Sequence, residues 1–132
     1  MLDCLVMGDS IAVGTHEFKK ECAVIAKGGI NSYQWVNNNI DKAPFEAKTV
    51  IISLGSNDHS GVNSFQELLA MRQKVEAERV FWIMPAIKPE KQKIVENIAK
   101  HFGDTLVAIP ELSKDGIHPT YRGYRQLGEL TK

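Results

Sequence analysis

Five short runs of apolar, largely β-branched residues recur along the chain, and each has the length of a β-strand. They lie at Leu2–Met7, Cys22–Ala26, Thr49–Leu54, Val80–Met84 and Thr105–Ile109. Longer segments with apolar residues at helical spacing follow them, at Ile11–Lys20, Ser32–Ile40, Ser64–Ala77, Glu90–Phe102 and Thr120–Leu130. The pattern therefore predicts strands that alternate with helices throughout the chain.

The apolar runs are continuous rather than alternating, which is typical of strands covered on both faces. Strands of this kind form a parallel sheet with helices on either side. We therefore predict a three-layer α/β/α sandwich with a five-stranded parallel sheet in the flavodoxin-like order 2-1-3-4-5. A chain of 132 residues has the size of a single domain, so residues 1–132 are expected to form one unit.

Small polar clusters stand where several of the predicted strands end. They are Gly8-Asp9-Ser10, Gly28-Gly29, Gly55-Ser56-Asn57-Asp58 and Asp115-Gly116-Ile117-His118. Ligands of open parallel sheets gather beyond the carboxyl ends of the strands, where loops and helix N-termini converge. All four clusters should therefore share one edge of the sheet.

One serine, one histidine and one aspartate of these clusters suit nucleophilic catalysis. A serine hydroxyl needs a base to take its proton, and the base needs a third group to orient it. Ser10 is the candidate nucleophile, His118 the candidate base, and Asp115 lies three residues before that base. Pro119 should keep His118 in extended backbone and begin the next helix.

Attack on an acyl carbonyl creates an oxyanion that hydrogen-bond donors must meet. The sequence offers the backbone N–H of Ser10, the backbone N–H of Gly29 and the side-chain amide of Asn57. Gly28 is the alternative to Gly29 for the second donor.

Four sequence blocks resemble those of the SGNH hydrolases, also called GDSL esterases. They are "GDS" (8–10), the glycine of "KGGINS", "GSND" (55–58) and "DGIHP" (115–119), and they occur in the family's order across the whole chain. The resemblance implies that Ser10, Asp115 and His118 form a catalytic triad. It also implies that Ser10, Gly29 and Asn57 form an oxyanion hole.

The resemblance further implies a serine esterase that needs no cofactor. Ile11 replaces the leucine of the family's name-giving motif, and the loops after the third and fourth strands are short. Short loops favour a shallow, open cleft, so we expect a small acyl group, acetyl above all, on a carbohydrate or other polar alcohol. The alternatives are a thioesterase or lysophospholipase, or a non-catalytic glycan-binding or virion-associated domain. Asp9 and Asp58 are expected to support the site by hydrogen bonds.

Aromatic and histidine residues near these loops have two interpretations each. Tyr33, Trp35 and Tyr121 either line the cleft and bind substrate or pack helices on the sheet. His59 follows Asp58, which raises the hypothesis of a metal-dependent phosphoesterase with Asp9, Asp58, His59 and His118 as ligands. That hypothesis leaves Ser10 without a role, and we expect no metal.

Composition narrows the partners. Sixteen basic residues balance sixteen acidic ones, so the protein has no net positive field that would attract nucleic acid. No run reaches the ~20 apolar residues that cross a bilayer, and no signal-peptide pattern is present. We expect a cytoplasmic protein, although a phage-encoded or virion-associated product would look the same, and a small-molecule or glycan ester as its partner. Cys4 and Cys22 are interpreted as buried thiols rather than as a disulfide framework, and the oligomeric state is left open.

Overall fold

Six strands and five α-helices alternate in the computed structural model, which describes all 132 residues. The strands are β1 Leu2–Gly8, β2 Ala23–Ala26, β3 Phe45–Ser53, β4 Val75–Glu76, β5 Arg79–Ile83 and β6 Thr105–Val107. The helices are α1 Ser10–His16, α2 Ser32–Asn39, α3 Ser64–Arg72, α4 Pro89–Phe102 and α5 Tyr121–Leu130, and a 3₁₀ turn spans Ile40–Lys42.

All strands of the sheet are parallel, and the main path runs β2-β1-β3-β5-β6. When only the five long strands are counted, this is the predicted order 2-1-3-4-5, so the predicted fold class is confirmed. Gly8 at the end of β1 lies opposite Ala26 of β2 and Ser53 of β3. The three loops that follow these strands therefore start at one level of the sheet.

The sixth strand corrects the prediction of a helix from Ser64 to Ala77. Helix α3 ends at Arg72, and Val75–Glu76 pairs with the first two residues of β3. Phe45 donates its backbone N–H to the carbonyl of Lys74 over 2.8 Å, and the Val75 side chain is buried. The beginning of β3 thus pairs with residues 75–76, although the apolar spacing of this segment had predicted a helix.

Helices cover both faces of the sheet. Helices α2, α3 and α4 enclose one apolar core with side chains such as Trp82, which is fully buried as expected for it. Helices α1 and α5 enclose a second core that contains Ile11, Ile51 and Leu127. None of the helices is both long enough and apolar enough to cross a membrane.

The two cysteines form a disulfide, which corrects the interpretation of them as separate buried thiols. Cys4 lies in β1 and Cys22 directly precedes β2, with their Cα atoms 4.7 Å apart. The pairing of Leu5 with Ala23 places the two residues side by side on neighbouring strands. Both cysteines are buried, so the cross-link is part of the packed interior.

A buried ion pair closes the end of the sheet at which the strands begin. Asp104, the residue before β6, accepts hydrogen bonds from Arg72 Nε at 2.7 Å and from Arg72 Nη2 at 2.9 Å. The indole N–H of Trp82 donates to the same carboxylate over 2.9 Å. The pair therefore joins α3, β5 and the end of α4 on the side away from the polar loops.

Candidate active site

The turn from β1 to α1 fixes the position of Ser10. Gly8 has a φ of 141°, and a Cβ atom at this position would overlap the carbonyl oxygen of Ser53. Only glycine lets β1 approach β3 this closely. Asp9 caps helix α1, because its Oδ1 accepts the N–H of Ile11 at 3.0 Å. Ser10 consequently begins the helix, beyond the end of the strand.

The structure brings the three predicted catalytic side chains together in one hydrogen-bonded chain. Ser10 Oγ lies 2.9 Å from His118 Nε2, and His118 Nδ1 lies 2.7 Å from Asp115 Oδ2. A carboxylate can only accept, so the neutral imidazole carries its proton on Nδ1. Nε2 is then free to accept the proton of the serine hydroxyl.

Asp115 is held as a carboxylate by four donors in its own loop. Its Oδ1 accepts the backbone N–H groups of Ile117 at 2.8 Å and His118 at 2.9 Å, and the hydroxyl of Ser113 at 2.8 Å. These backbone bonds, with those from the His118 and Ser113 side chains, hold the pKa of Asp115 far below its ordinary value. A permanently ionised Asp115 fixes the tautomer and orientation of His118.

Pro119 holds the same loop in a way that differs from the prediction. It forms an isolated antiparallel bridge with Leu112, and the Ser113 N–H donates to the His118 carbonyl over 2.8 Å. Helix α5 begins at Tyr121 with Thr120 as its cap, so Pro119 is not the first helical residue. His118 is nevertheless outside the helix, as predicted.

The three expected oxyanion donors occupy the loops around Ser10. The backbone N–H groups of Ser10, Gly28 and Gly29 have no acceptor within the protein. Asn57 donates one amide hydrogen to the Ile30 carbonyl over 3.0 Å, which leaves the other free. A Cβ atom at Gly28 would lie 3.9 Å from the Ser10 Cβ, while Gly29 takes a φ of 79°. Both glycines thus remain candidates for the second donor.

Asp58 and Lys88 hold the loop that carries Asn57. The buried carboxylate of Asp58 accepts the backbone N–H and the hydroxyl of Ser32 and the hydroxyl of Ser64, all between 2.7 and 2.8 Å. Lys88 Nζ donates to the carbonyls of Ser56 at 2.8 Å and Asp58 at 2.7 Å. The residues on both sides of Asn57 are therefore fixed from α2, α3 and the start of α4.

Lys88 was not among the residues that the sequence singled out. It is the only non-glycine residue with a positive φ, 64°, and it precedes Pro89 at the N-terminus of α4. Backbone in this region persists where surrounding contacts hold it. The sequence could have indicated Lys88 only by its position, in the loop after the fourth long strand, at the same edge of the sheet as the polar clusters.

Asp9 is a buried carboxylate with only one satisfied oxygen. Its Oδ1 accepts from Ile11 and from the Ser53 hydroxyl, the latter at 3.1 Å, while Oδ2 has no partner. Burial raises the pKa of Asp9 to about 6, against the lowering effect of these hydrogen bonds. The group directly before Ser10 therefore titrates close to neutral pH.

The four residues proposed to bind substrate differ in position. Trp35 is fully buried, packs on Phe45 and donates its indole N–H to the Ile25 carbonyl, so of its two interpretations the structure shows packing on the sheet. Tyr33 is exposed on α2, and His59 is exposed with Nδ1 accepting the N–H of Gly61. Tyr121 is exposed on α5, and its ring packs edge-on against Phe18. For these three the substrate role stays a prediction.

The ligand set of the alternative metal enzyme is not assembled. The Asp58 carboxylate is bonded to serines, His59 to its own loop, and His118 to Ser10 and Asp115. The metal-ligating atoms of Asp9, Asp58, His59 and His118 form no common group. Cys4, Glu21 and Cys22 do lie within reach of one another, but the two sulfurs are bonded together.

The sheet order and the four loops define an SGNH hydrolase fold, the fold of GDSL-like lipases. A GDSL-like lipase from Bacteroides thetaiotaomicron is 21% identical with a TM-score of 0.66, over 98% of this chain and 85% of that chain. The C-terminal catalytic domain of peptidoglycan O-acetyltransferase A from Streptococcus pneumoniae is 16% identical with a TM-score of 0.61, over 96% of this chain and 88% of that chain. No protein-family model and no curated protein matches the sequence. Identities this low establish the fold, and the activity has to be argued from the site.

Proposed function

We propose that this protein is a serine esterase that hydrolyses the ester of a small acyl group, acetyl above all, on a carbohydrate or another polar alcohol. The observation that carries the proposal is the hydrogen-bonded chain from Ser10 Oγ through His118 to Asp115, with distances of 2.9 and 2.7 Å. These distances suit proton transfer from the hydroxyl to a base held in the correct tautomer.

In the first half-reaction, Ser10 Oγ attacks the carbonyl carbon of the ester while His118 Nε2 takes the hydroxyl proton. The carbonyl oxygen becomes an oxyanion that accepts hydrogen bonds from the N–H of Ser10, the N–H of Gly29 or its alternative Gly28, and the amide of Asn57. Donors placed before the reaction are typically worth ~10²–10³ each in rate. The imidazolium, stabilised by Asp115, then gives its proton to the departing alcohol oxygen, and the acyl group stays on Ser10.

In the second half-reaction, a water molecule loses a proton to His118 Nε2 and attacks the acyl carbon. The same N–H groups donate hydrogen bonds to the second oxyanion. The bond to Ser10 Oγ breaks, and His118 returns the proton to that oxygen. The products are a carboxylic acid and the free alcohol, and the enzyme is restored without a cofactor.

The shape of the site supports a short acyl group. The side chains of Asp115 and His118 are 47% and 42% exposed, so the triad lies in an open cleft. The loops after β3 and β5 are too short to build a long apolar wall over it. Because the triad is this exposed, an octanoyl or longer chain would gain less from burial beside it than in an enclosed pocket.

The test is hydrolysis of p-nitrophenyl acetate, butyrate and octanoate by the wild type, Ser10→Ala and the control Ser60→Ala, which changes an exposed serine near the site. We expect the wild type to have its highest kcat/KM for acetate. This value should fall at least ~10³-fold in Ser10→Ala and stay at the wild-type level in Ser60→Ala. Ser10 should also react with a fluorophosphonate.

Each alternative has its own outcome. Turnover that survives Ser10→Ala but stops in EDTA would favour the metal enzyme. Glycan binding of equal strength in wild type and Ser10→Ala, with no ester hydrolysed, would favour the non-catalytic domain. A preference for octanoate over acetate would favour the lysophospholipase, and thioester turnover above ester turnover the thioesterase.

A further inference from the structure

Two adjoining cavities lead away from Ser10 along helix α2. The first, of about 370 Å³, is lined by Gly28, Gly29, Gln34 and Asn38. The second, of about 290 Å³, extends past the edge strand β2 to Lys42, and apolar residues of β2 together with Ile30 and Trp35 form most of its lining. Both are also lined by Lys27, Ile30 and Asn38, so they form one continuous groove. Each part is near the lower end of the ~300–1,000 Å³ typical of small-molecule sites.

The groove begins at the candidate catalytic centre. Gly28 lies beside Ser10, since a Cβ atom on Gly28 would be in van der Waals contact with the Ser10 Cβ. The N–H groups of Gly28 and Gly29, which have no acceptor in the protein, stand at the same end. A substrate bound at Ser10 would therefore extend directly into the groove with whichever part is larger than the acyl group.

Polar side chains with free hydrogen-bonding capacity line this path. Gln34 and Asn38 are four residues apart on α2 and so lie on the same side of the helix. The side chain of Asn38 makes no hydrogen bond within the protein, and the side chain of Gln34 uses only its Oε1, which accepts the N–H of Asn31. Hydroxyl-rich ligands match such amides, because each amide can both donate and accept.

Two lysines give the groove a positive charge. Lys27 and Lys42 are exposed, neither forms a salt bridge, and no acidic residue lines either cavity. Lys42 Nζ is held by the side-chain oxygen of the buried Asn39 at 3.0 Å. A protein with zero formal net charge thus places two unpaired ammonium groups along one groove.

We propose that this groove binds the alcohol part of the substrate and that this part is an anionic saccharide, which carries a carboxylate or a phosphate group. The proposal rests on the proposed esterase function and adds the substrate class and the residues that select it. Lys27 and Lys42 bind the negative charge, and Gln34 and Asn38 bind sugar hydroxyls.

The test compares kcat/KM for three O-acetylated sugars: a methyl glucuronoside, a glucose 6-phosphate and a neutral methyl glucoside. We expect both anionic esters to be preferred over the neutral one about tenfold, from about threefold for each exposed lysine. The preference should fall towards one in the double variant Lys27→Gln/Lys42→Gln and in 0.5 M salt, because salt screens exposed charges. The control Lys48→Gln changes an exposed lysine on β3 that lines neither cavity, and it should keep the preference.

Equal kcat/KM for anionic and neutral esters, or a preference unchanged in the double variant, would overturn the proposal while leaving the esterase intact. A preference for only one of the two anionic esters supports the proposal and distinguishes carboxylate from phosphate. If no ester is hydrolysed, Ser10→Ala is titrated with methyl glucuronoside and glucose 6-phosphate while the backbone amides of Lys27 and Asn38 are followed by NMR. Shifts at these amides that are absent in the double variant would support the groove without the esterase, and no shifts would reject both.

Discussion

Asp9 carries a titratable group into the interior directly beside the candidate nucleophile. Burial lifts its pKa from 3.8 to about 6, so the folded protein holds this proton more tightly than the unfolded chain does. The contribution to stability is therefore present below about pH 4 and is lost as the pH rises from about 4 to about 6. Above that range the folded protein carries a buried carboxylate with one unpaired oxygen.

We expect the stability of the wild type relative to Asp9→Asn to decrease between about pH 4 and 7. The decrease should reach at most about 3 kcal/mol, because one pKa unit corresponds to ~1.4 kcal/mol. Asn keeps an oxygen that accepts the Ile11 N–H and does not titrate. Urea unfolding of both proteins across this pH range measures the difference, with the exposed Asp41→Asn as the control. A difference that is constant with pH would show that Asp9 does not titrate in this window.

Asp115 is expected to act on the proton position of His118 rather than on the fold of the loop. In Asp115→Asn the amide oxygen still accepts the N–H groups of Ile117 and His118, but the amide nitrogen can only donate to Nδ1. The imidazole proton then moves to Nε2, which can no longer accept from Ser10. We expect kcat to fall about 10³–10⁴-fold with KM nearly unchanged. Ser113→Ala, which removes one donor to Asp115, should cost less than about tenfold in the same assay.

At the scale of elements, the segment between β3 and α3 is held by a residue from another element, the start of α4. Lys88 reaches from the start of α4 to the carbonyls of Ser56 and Asp58, on either side of Asn57. Such a contact sets the position of Asn57 without touching the substrate. Lys88 is therefore a positioning residue in the proposed mechanism.

Lys88→Met should lower kcat about 10- to 100-fold and leave KM within about twofold, because a misplaced oxyanion donor weakens binding of the transition state only. Lys88→Arg, which keeps a cation with several donors, should recover part of kcat. The control Lys93→Met changes an exposed lysine of the same helix. If Lys88→Met raises KM as much as it lowers kcat, or if Arg gives no recovery, the loop contact serves stability alone.

The elements that the sequence predicted correctly are those with short continuous apolar runs. These runs identified the five long strands, including the edge strand β2, whose residues are only partly buried. The segment at Val75–Glu76 could not be identified in the same way. Two residues have no periodicity, and their conformation is set by the free edge of β3 at Phe45. Similarly, Pro119 fits a helix start by local rules, while its bridge to Leu112 depends on how the whole loop folds back.

For the whole molecule, a buried ion pair that stabilises the fold and the proposed catalytic residues lie at opposite ends of one sheet. Ser10 and the loops around it follow the ends of the strands, whereas the Arg72–Asp104 pair lies where β6 begins. The Asp104 side chain is only 4% exposed and is bound by both Arg72 and Trp82. Removing one partner of such a pair leaves the other charge buried without compensation.

We expect Asp104→Ala to lower the free energy of unfolding by about 3–5 kcal/mol. The folded fraction should keep the kcat of the wild type, because Asp104 lies far from Ser10. Urea unfolding followed by the fluorescence of the two tryptophans measures the first quantity, and ester hydrolysis at low temperature measures the second. Glu96→Ala, which removes exposed ion pairs on α4, should cost much less, because water screens exposed charges. Equal losses in the two variants would contradict the assignment of Asp104 to a buried, stabilising pair.

The candidate site could be located from the sequence because parallel strands place the loops at their carboxyl ends together. This geometry needs no knowledge of side-chain packing, and the 2.9 Å contact between Ser10 and His118 agrees with it. Contacts that depend on three-dimensional packing gave no such signal. Trp35 looked as suitable for a cleft as for the core, and Lys88 is distant in sequence from the carbonyls that it binds.

The disulfide between Cys4 and Cys22 makes the stability of the protein depend on whether reducing thiols are present in solution. The two residues are 18 positions apart, and closing a loop of that size restricts the unfolded chain by about 3 kcal/mol. This is a large part of the ~5–15 kcal/mol that holds a domain folded. The bond also ties β2, whose residues form one wall of the groove, to the strand that leads to Ser10. After reduction by a dithiol, the protein should therefore unfold at a lower urea concentration. Its preference for anionic saccharide esters should weaken before its turnover of p-nitrophenyl acetate does.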